Sequence, residues 1–246
     1  MFETSAALLR SVHSQVADRI GVSVLRGDVA PGQPLPSEMR ICQMLEVSRT
    51  VVREAIRLLT GKGLVESRKK SGTRVRPAEE WNWLDPDVLR WQRDTADVDT
   101  YLAKLFKLRH AIEPAAAAIA AVAASEQDRT RLRDAFGARE AATGNEDLIV
   151  ADIAFHKCVF YATRNEFFWP LAQMLEVTLR GSLTIAAPGD HRARGSKDHR
   201  DVLEAIERRD PVEARAMTVV LLDHSAGDLI RIRGIDPFSG RHVPTG

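Results

Sequence analysis

Apolar residues recur at helical spacing through most of the chain. From about Ala7 to Leu25, Val12, Val16, Ile20 and Val24 share one helical face. Arg26-Gly27-Asp28 and Pro31-Gly32-Gln33-Pro34 forbid helix beyond it. Ser37 is placed to cap a short helix with Ile41, Met44 and Leu45 as its stripe. Glu46-Val47-Ser48 reads as a turn, and Ser48 caps a third helix with Val51, Ala55, Leu58 and Leu59 facing inward. Two β-like pieces, Leu64–Ser67 and Thr73–Arg76, flank the basic loop Arg68-Lys69-Lys70-Ser71-Gly72. Helix, short helix, turn, helix and basic hairpin is the order of a winged helix-turn-helix.

From about Asp99 to Arg233 the pattern is helix after helix, with no strand-like alternation. Leu102, Leu105, Phe106, Ile112 and an alanine run form long apolar faces, and Asp210-Pro211-Val212-Glu213 reads as a helix start. The fold class expected is mainly α: an N-terminal winged helix-turn-helix plus a C-terminal antiparallel all-helical bundle. The boundaries expected are 1–78 for the DNA module, 79–98 for a linker, 99–235 for the bundle and 236–246 for a tail. The linker is not solvent-like. Trp81, Trp83 and Trp91 are three of the chain's four tryptophans, so this segment packs against something. A docking segment fixing the DNA module to the effector domain and the first turn of the next core both fit.

Charge sharpens the division. Residues 1–76 carry 13 Lys and Arg against 7 Asp and Glu, and residues 77–246 carry 22 against 27. A basic module on an acidic body suits a DNA reader with a separate sensing domain. No apolar run reaches the roughly 18 residues that span a bilayer. Nor does a basic stretch followed by an apolar run open the chain, so a cytoplasmic protein without membrane contact is expected. Cys42 and Cys158 fall in different modules and imply no disulfide framework.

Candidate DNA contacts follow from the helix-turn-helix order. Ser48, Arg49, Thr50 and Arg53 lie on the first turns of the third helix, the end that enters a major groove. Arginine can pair with a guanine edge, and Ser and Thr hydroxyls reach phosphates or bases. Ser37 caps the preceding helix, Lys69 and Lys70 give the hairpin its charge, and Gly72 permits close backbone approach. A solvated helix surface is the plain alternative for Arg49 and Arg53 taken alone.

Pro31-Gly32, Leu35-Pro36-Ser37-Glu38, Val47-Ser48-Arg49-Thr50-Val51-Val52-Arg53-Glu54-Ala55 and Gly63-Leu64-Val65 with Gly72-Thr73 together resemble the GntR family of bacterial repressors. The resemblance implies double-stranded operator DNA as partner, with Arg49 and Arg53 as recognition-helix arginines and Gly72-Thr73 at the wing tip. Members often carry Arg after the Pro-Ser-Glu motif; here Met39 stands there.

In the bundle, Asp152 and His156 sit four residues apart and project from one helical face. A carboxylate and an imidazole begin a divalent-metal site, and equally describe a buried hydrogen-bonded couple. His199 opens the helix His199–Arg208, and His224 lies on the helix after Pro211. Arg109 and Glu113, also four apart, are an exposed ion pair or the carboxylate-binding fork of a ligand site.

Asp152, His156 and Asn165, then His199, Leu203, Ala205-Ile206, Asp210 and Ala214, resemble the FadR-like effector domain called FCD, and Leu108–Ala116 resembles its first long helix. The resemblance implies a divalent metal, zinc first with nickel or manganese as alternatives, on Asp152, His156 and His199. The family's fourth histidine is replaced by Leu221; His224 is the substitute offered one turn on, and water or ligand oxygens are the other. Arg109, Glu113 and Asn165 become the effector-binding candidates. The Trp-rich segment with Arg109 and Glu113-Pro114 is similar to regulators of sugar-acid catabolism of the galactonate type. The function expected is a repressor of a carbon-catabolism operon, not an enzyme, acting as a homodimer on operator DNA and released by a small carboxylate effector such as an aldonate. The alternatives are another small carboxylate, or a metal-dependent hydrolase or lyase carrying a DNA-binding module.

Overall fold

The computed structural model describes residues 11–68, 72–185, 191–234 and 236–238. The chain divides into two compact units, Met1–Ala96 and Asp97–Gly246.

In the first unit α1 (Val12–Arg26), α2 (Glu38–Leu45) and α3 (Arg49–Gly61) precede an antiparallel hairpin of β1 (Val65–Arg68) and β2 (Gly72–Val75). The caps are the serines that the sequence offers: Ser37 Oγ accepts from Arg40 N and Ser48 Oγ from Val51 N. Val16, Val24, Ile41, Val52, Ala55, Ile56 and Leu59 fill the core. The inward stripe of α3 is therefore Val52-Ala55-Ile56-Leu59, rotated from the expected one; Leu58 is exposed, as are Val12 and Met44. The reason is tertiary. α3 packs against α1 and β1, which demands a central face that the sequence, apolar on both sides of it, leaves open.

The tryptophan segment belongs to this unit. A 3₁₀ turn over Ala78–Glu80 leads to α4 (Pro86–Thr95), which starts at an Asp85 cap and packs on α1. Trp91 is fully buried, and its Nε1–H donates to Asp18 (3.0 Å), which also accepts from Arg90 (2.7 Å). Lys62 at the end of α3 joins Asp85 and Asp87 at 2.8 Å each. Trp81 and Trp83 donate to the carbonyls of Arg76 and Ala78. These contacts make the segment part of the first unit's core.

The second unit is a bundle of α5 (Val98–Ala123), α6 (Glu126–Ala141), α7 (Asn145–Ala162), α8 (Trp169–Ile185), α9 (His191–Glu207) and α10 (Pro211–Arg233). α9 begins eight residues before His199, so His199 is interior to its helix rather than its first residue. Asp210 caps α10 by accepting from Val212 N and Glu213 N, and Ser125 with Asp128 forms a capping box on α6. The α5, α7, α9 and α10 faces meet around Leu102, Phe155, Phe160, Ile206 and Leu222. Among the described residues, no helix is long and apolar enough to cross a membrane.

Candidate functional site

The bundle holds a cavity of about 140 Å³, room for several waters or the polar body of a small organic acid. Asp152, His156 and His199 line it, all three buried, and their ligand atoms lie within 4.8 Å of one another. α7 supplies the first two from one face, four residues apart, and α9 the third. Asp152 Oδ2 is 3.6 Å from His156 Nε2, and Asp152 Oδ1 is 3.1 Å from His199 Nε2.

The far sides of both rings are held. His156 Nδ1 lies 2.8 Å from Glu113 Oε2, and His199 Nδ1–H donates to the Gly195 carbonyl at 2.6 Å. Both Nε2 atoms are thereby turned toward Asp152. His199 Nε2 is fully buried, and its contact is the 3.1 Å approach to Asp152 Oδ1. Burial lowers the His199 pKa, with Asp152 only partly opposing it. Burial works against the Asp152 charge, yet His199, His156 and Arg139 outweigh it and hold the carboxyl well below the usual range. A carboxylate and two imidazoles with oriented second partners fit a divalent ion.

Arg109 and Glu113 form a buried pair on α5, Nε to Oε1 at 2.6 Å. Burial alone would raise the Glu113 pKa, but Arg109 and His156 bring it down to about 2. Arg109 lines the cavity, with Nη2 3.5 Å from His156 Nε2. An exposed helix pair is thus excluded for these two residues.

Two expected residues lie elsewhere. His224 Nδ1 is 2.8 Å from Asp198 Oδ2, and the histidine is exposed. Leu221 and Ser225 face the cavity from α10, whereas the exposed His224 is turned to Asp198. It is not in the cluster. Nor does Asn165 line the cavity: its Oδ1 accepts from Phe167 N in the turn before α8.

Arg139 is the residue that the sequence reading missed. Its Nε–H donates to Asp152 Oδ1 at 2.9 Å, and it is buried in the cavity wall. The signal was present, since Leu132, Ala135 and Arg139 are the buried stripe of α6. An arginine in an apolar stripe needs a buried partner.

In the first unit Arg49, Thr50 and Arg53 stand exposed on the opening turns of α3, opposite its buried stripe. Arg53 Nε–H donates to Glu38 at 3.0 Å, and Arg49 rests against Met39 Sδ at 3.9 Å. Ser37 and Ser48 spend their oxygens as caps, leaving each hydroxyl hydrogen to donate. Thr73 pairs with Ser67 across the hairpin, and Gly72 is exposed with φ +77°, which a side chain would strain. Lys69 and Lys70 lie outside the described residues.

Two family models match the two units. Residues 12–75 match "Bacterial regulatory proteins, gntR family" and residues 104–224 match "FCD domain". The chain belongs to the GntR family. The galactonate operon transcriptional repressor of Escherichia coli (strain K12) is 28% identical over 82% of this chain and 90% of its own length. The uncharacterized HTH-type transcriptional regulator YieP of the same strain is 31% identical over 65% of this chain and 70% of its own. The Uxu operon transcriptional regulator is 29% identical over 89% and 86%. Among solved structures, Lar of Listeria monocytogenes superposes with a TM-score of 0.61 at 18% identity, covering 94% of this chain and all of that one, which shows the shared fold. This GntR-type chain is a transcription regulator and not an enzyme.

Proposed function

We propose that this regulator represses a carbon-catabolism operon, and that a sugar acid such as an aldonate releases it from the operator. The observation that carries this reading is the convergence of Asp152, His156 and His199 with Arg109 and Arg139 on one cavity. A divalent ion on the Asp and the two imidazoles, zinc by donor type, would supply a Lewis acid for the carboxylate and adjacent hydroxyl of the acid. Arg109 and Arg139 keep N–H groups beyond those given to Glu113 and Asp152, and these meet an anionic end. The name of the galactonate relative supports the effector class. One winged helix reads one half-site, so the reading includes a homodimer on a palindromic operator.

The effector changes operator affinity only as far as it binds two conformations differently. Asp152→Ala and His156→Ala are therefore expected to lose the metal and the galactonate response while keeping effector-free operator binding. Elemental analysis with operator titrations, with and without galactonate, checks this. Full metal content and full response in His156→Ala would place the site elsewhere.

The DNA-binding half of the reading has its own expectation. Arg49→Ala and Arg53→Ala should each weaken operator binding by about 1–3 kcal/mol and relax base choice. Wild-type affinity in Arg53→Ala would mean that α3 does not read the operator.

A further inference from the structure

The cavity has two chemically distinct ends. α7 lines it from His156 and Asp152 back to Asn145, and α10 from Leu221 on to Asp228 and Leu229. His156 and Leu221 also line the small adjoining pocket that contains Glu113, which marks them as the metal end. Asp152 to Asn145 and Leu221 to Asp228 are each seven residues, about 10 Å of helix. α5 follows the same direction: His110 contacts Asp223 at 3.0 Å, so Phe106 and Leu102 run toward the Asp228 end. That length suits an extended six-carbon acid, about 8 Å at the pitch of an extended chain.

Charge is sorted along this axis. Both lining arginines are committed at the metal end, Arg109 through Glu113 and Arg139 through Asp152. Among the described lining residues, Asn145, Ser225 and Asp228 are the polar groups on the distal side, between Leu102, Leu148 and Leu229, and Asp198 lies next to His199 and pairs with His224 at 2.8 Å. Arg231, which donates to Asp228 Oδ1 at 2.8 Å, is exposed and does not line the cavity. A carboxylate edge accepts hydrogen bonds from hydroxyls and opposes a second anion.

We infer that Asp228 is a specificity residue: it makes the cavity select acids with one carboxylate and a hydroxylated far end, and reject the corresponding dicarboxylates. The inference rests on the sugar-acid reading and narrows it. Specificity arises at the end away from the metal, from a repulsive group rather than from an additional attractive one.

The test is calorimetric titration of the full-length, zinc-loaded protein with galactonate and with galactarate, the same chain with its far alcohol oxidised to a carboxylate. Galactonate should bind at least about tenfold more tightly, and Asp228→Asn should narrow that ratio by about tenfold. Equal affinities in the wild type would overturn the inference while leaving the sugar-acid reading standing. So would an Asp228→Asn protein, folded by circular dichroism, in which both affinities fall together and the ratio stays. Failure of the wild-type protein, zinc-loaded and operator-competent, to bind either acid would overturn the sugar-acid reading and this inference with it.

Discussion

Replacing Glu113 with alanine is expected to destabilise the effector unit by about 3–5 kcal/mol, the size seen when one partner of a buried ion pair is removed. Glu113 is 2% exposed and holds Arg109 through one oxygen and His156 through the other. The alanine leaves a guanidinium in a closed interior with no carboxylate to face. Glu113→Gln keeps the volume and one acceptor, so it should cost less. The pH dependence has a definite sign. Glu113 falls from an ordinary 4.5 to about 2 in the folded chain. A depressed carboxyl contributes stability that is fully present above about 4.5 and lost as pH falls toward 2, up to about 3 kcal/mol. Urea unfolding of metal-stripped protein, followed by far-ultraviolet circular dichroism from pH 7 to pH 3, checks both parts. The wild type should lose stability in acid more steeply than Glu113→Gln. An alanine variant within 1 kcal/mol of wild type, or parallel pH profiles, would show that the pair is not what holds this wall.

What was legible in the sequence was whatever depends on neighbours along the chain. Ser37, Ser48 and Asp210 declare helix starts through side chains that reach only two or three residues ahead. Asp152 and His156 declare a shared face because helical spacing alone puts them there. The orientation of α3 was not legible, since Val51, Val52, Ile56 and Leu58 offer apolar groups on two adjacent faces and only packing on α1 and β1 selects between them. Arg139 was missed for a related reason: its partner Asp152 is on the next helix, and pairing across helices leaves no mark in local spacing. His224 shows the converse error. A donor of the right type near the right position was proposed as a ligand, but it is exposed and pairs with Asp198 instead.

Trp91→Ala is expected to cost the first unit about 3–5 kcal/mol, as for other fully buried aromatics cut back to a methyl group. The indole packs directly against Gly21 of α1. A Cβ there would lie 2.5–2.7 Å from three ring carbons of Trp91, so the indole lies flat on the α1 backbone where only glycine admits it. Its Nε1–H is committed to Asp18, and Lys62 sits 5.9 Å from the ring while bridging to Asp85 and Asp87 at the start of α4. Removing the indole opens a void under α4 and orphans the Asp18 acceptor from one of its donors. Gly21→Ala attacks the same joint by overpacking and should cost about 1–3 kcal/mol, because a buried ring cannot swing aside as a flexible chain end could. Trp81 and Trp83 remain in the unit, so tryptophan fluorescence during denaturant unfolding still reports on it in both variants. The two substitutions touch one contact, and their effects should be clearly less than additive in the double variant. Full additivity, or a Trp91→Ala protein as stable as wild type, would mean that α4 is only laid against the DNA module and not anchored to it.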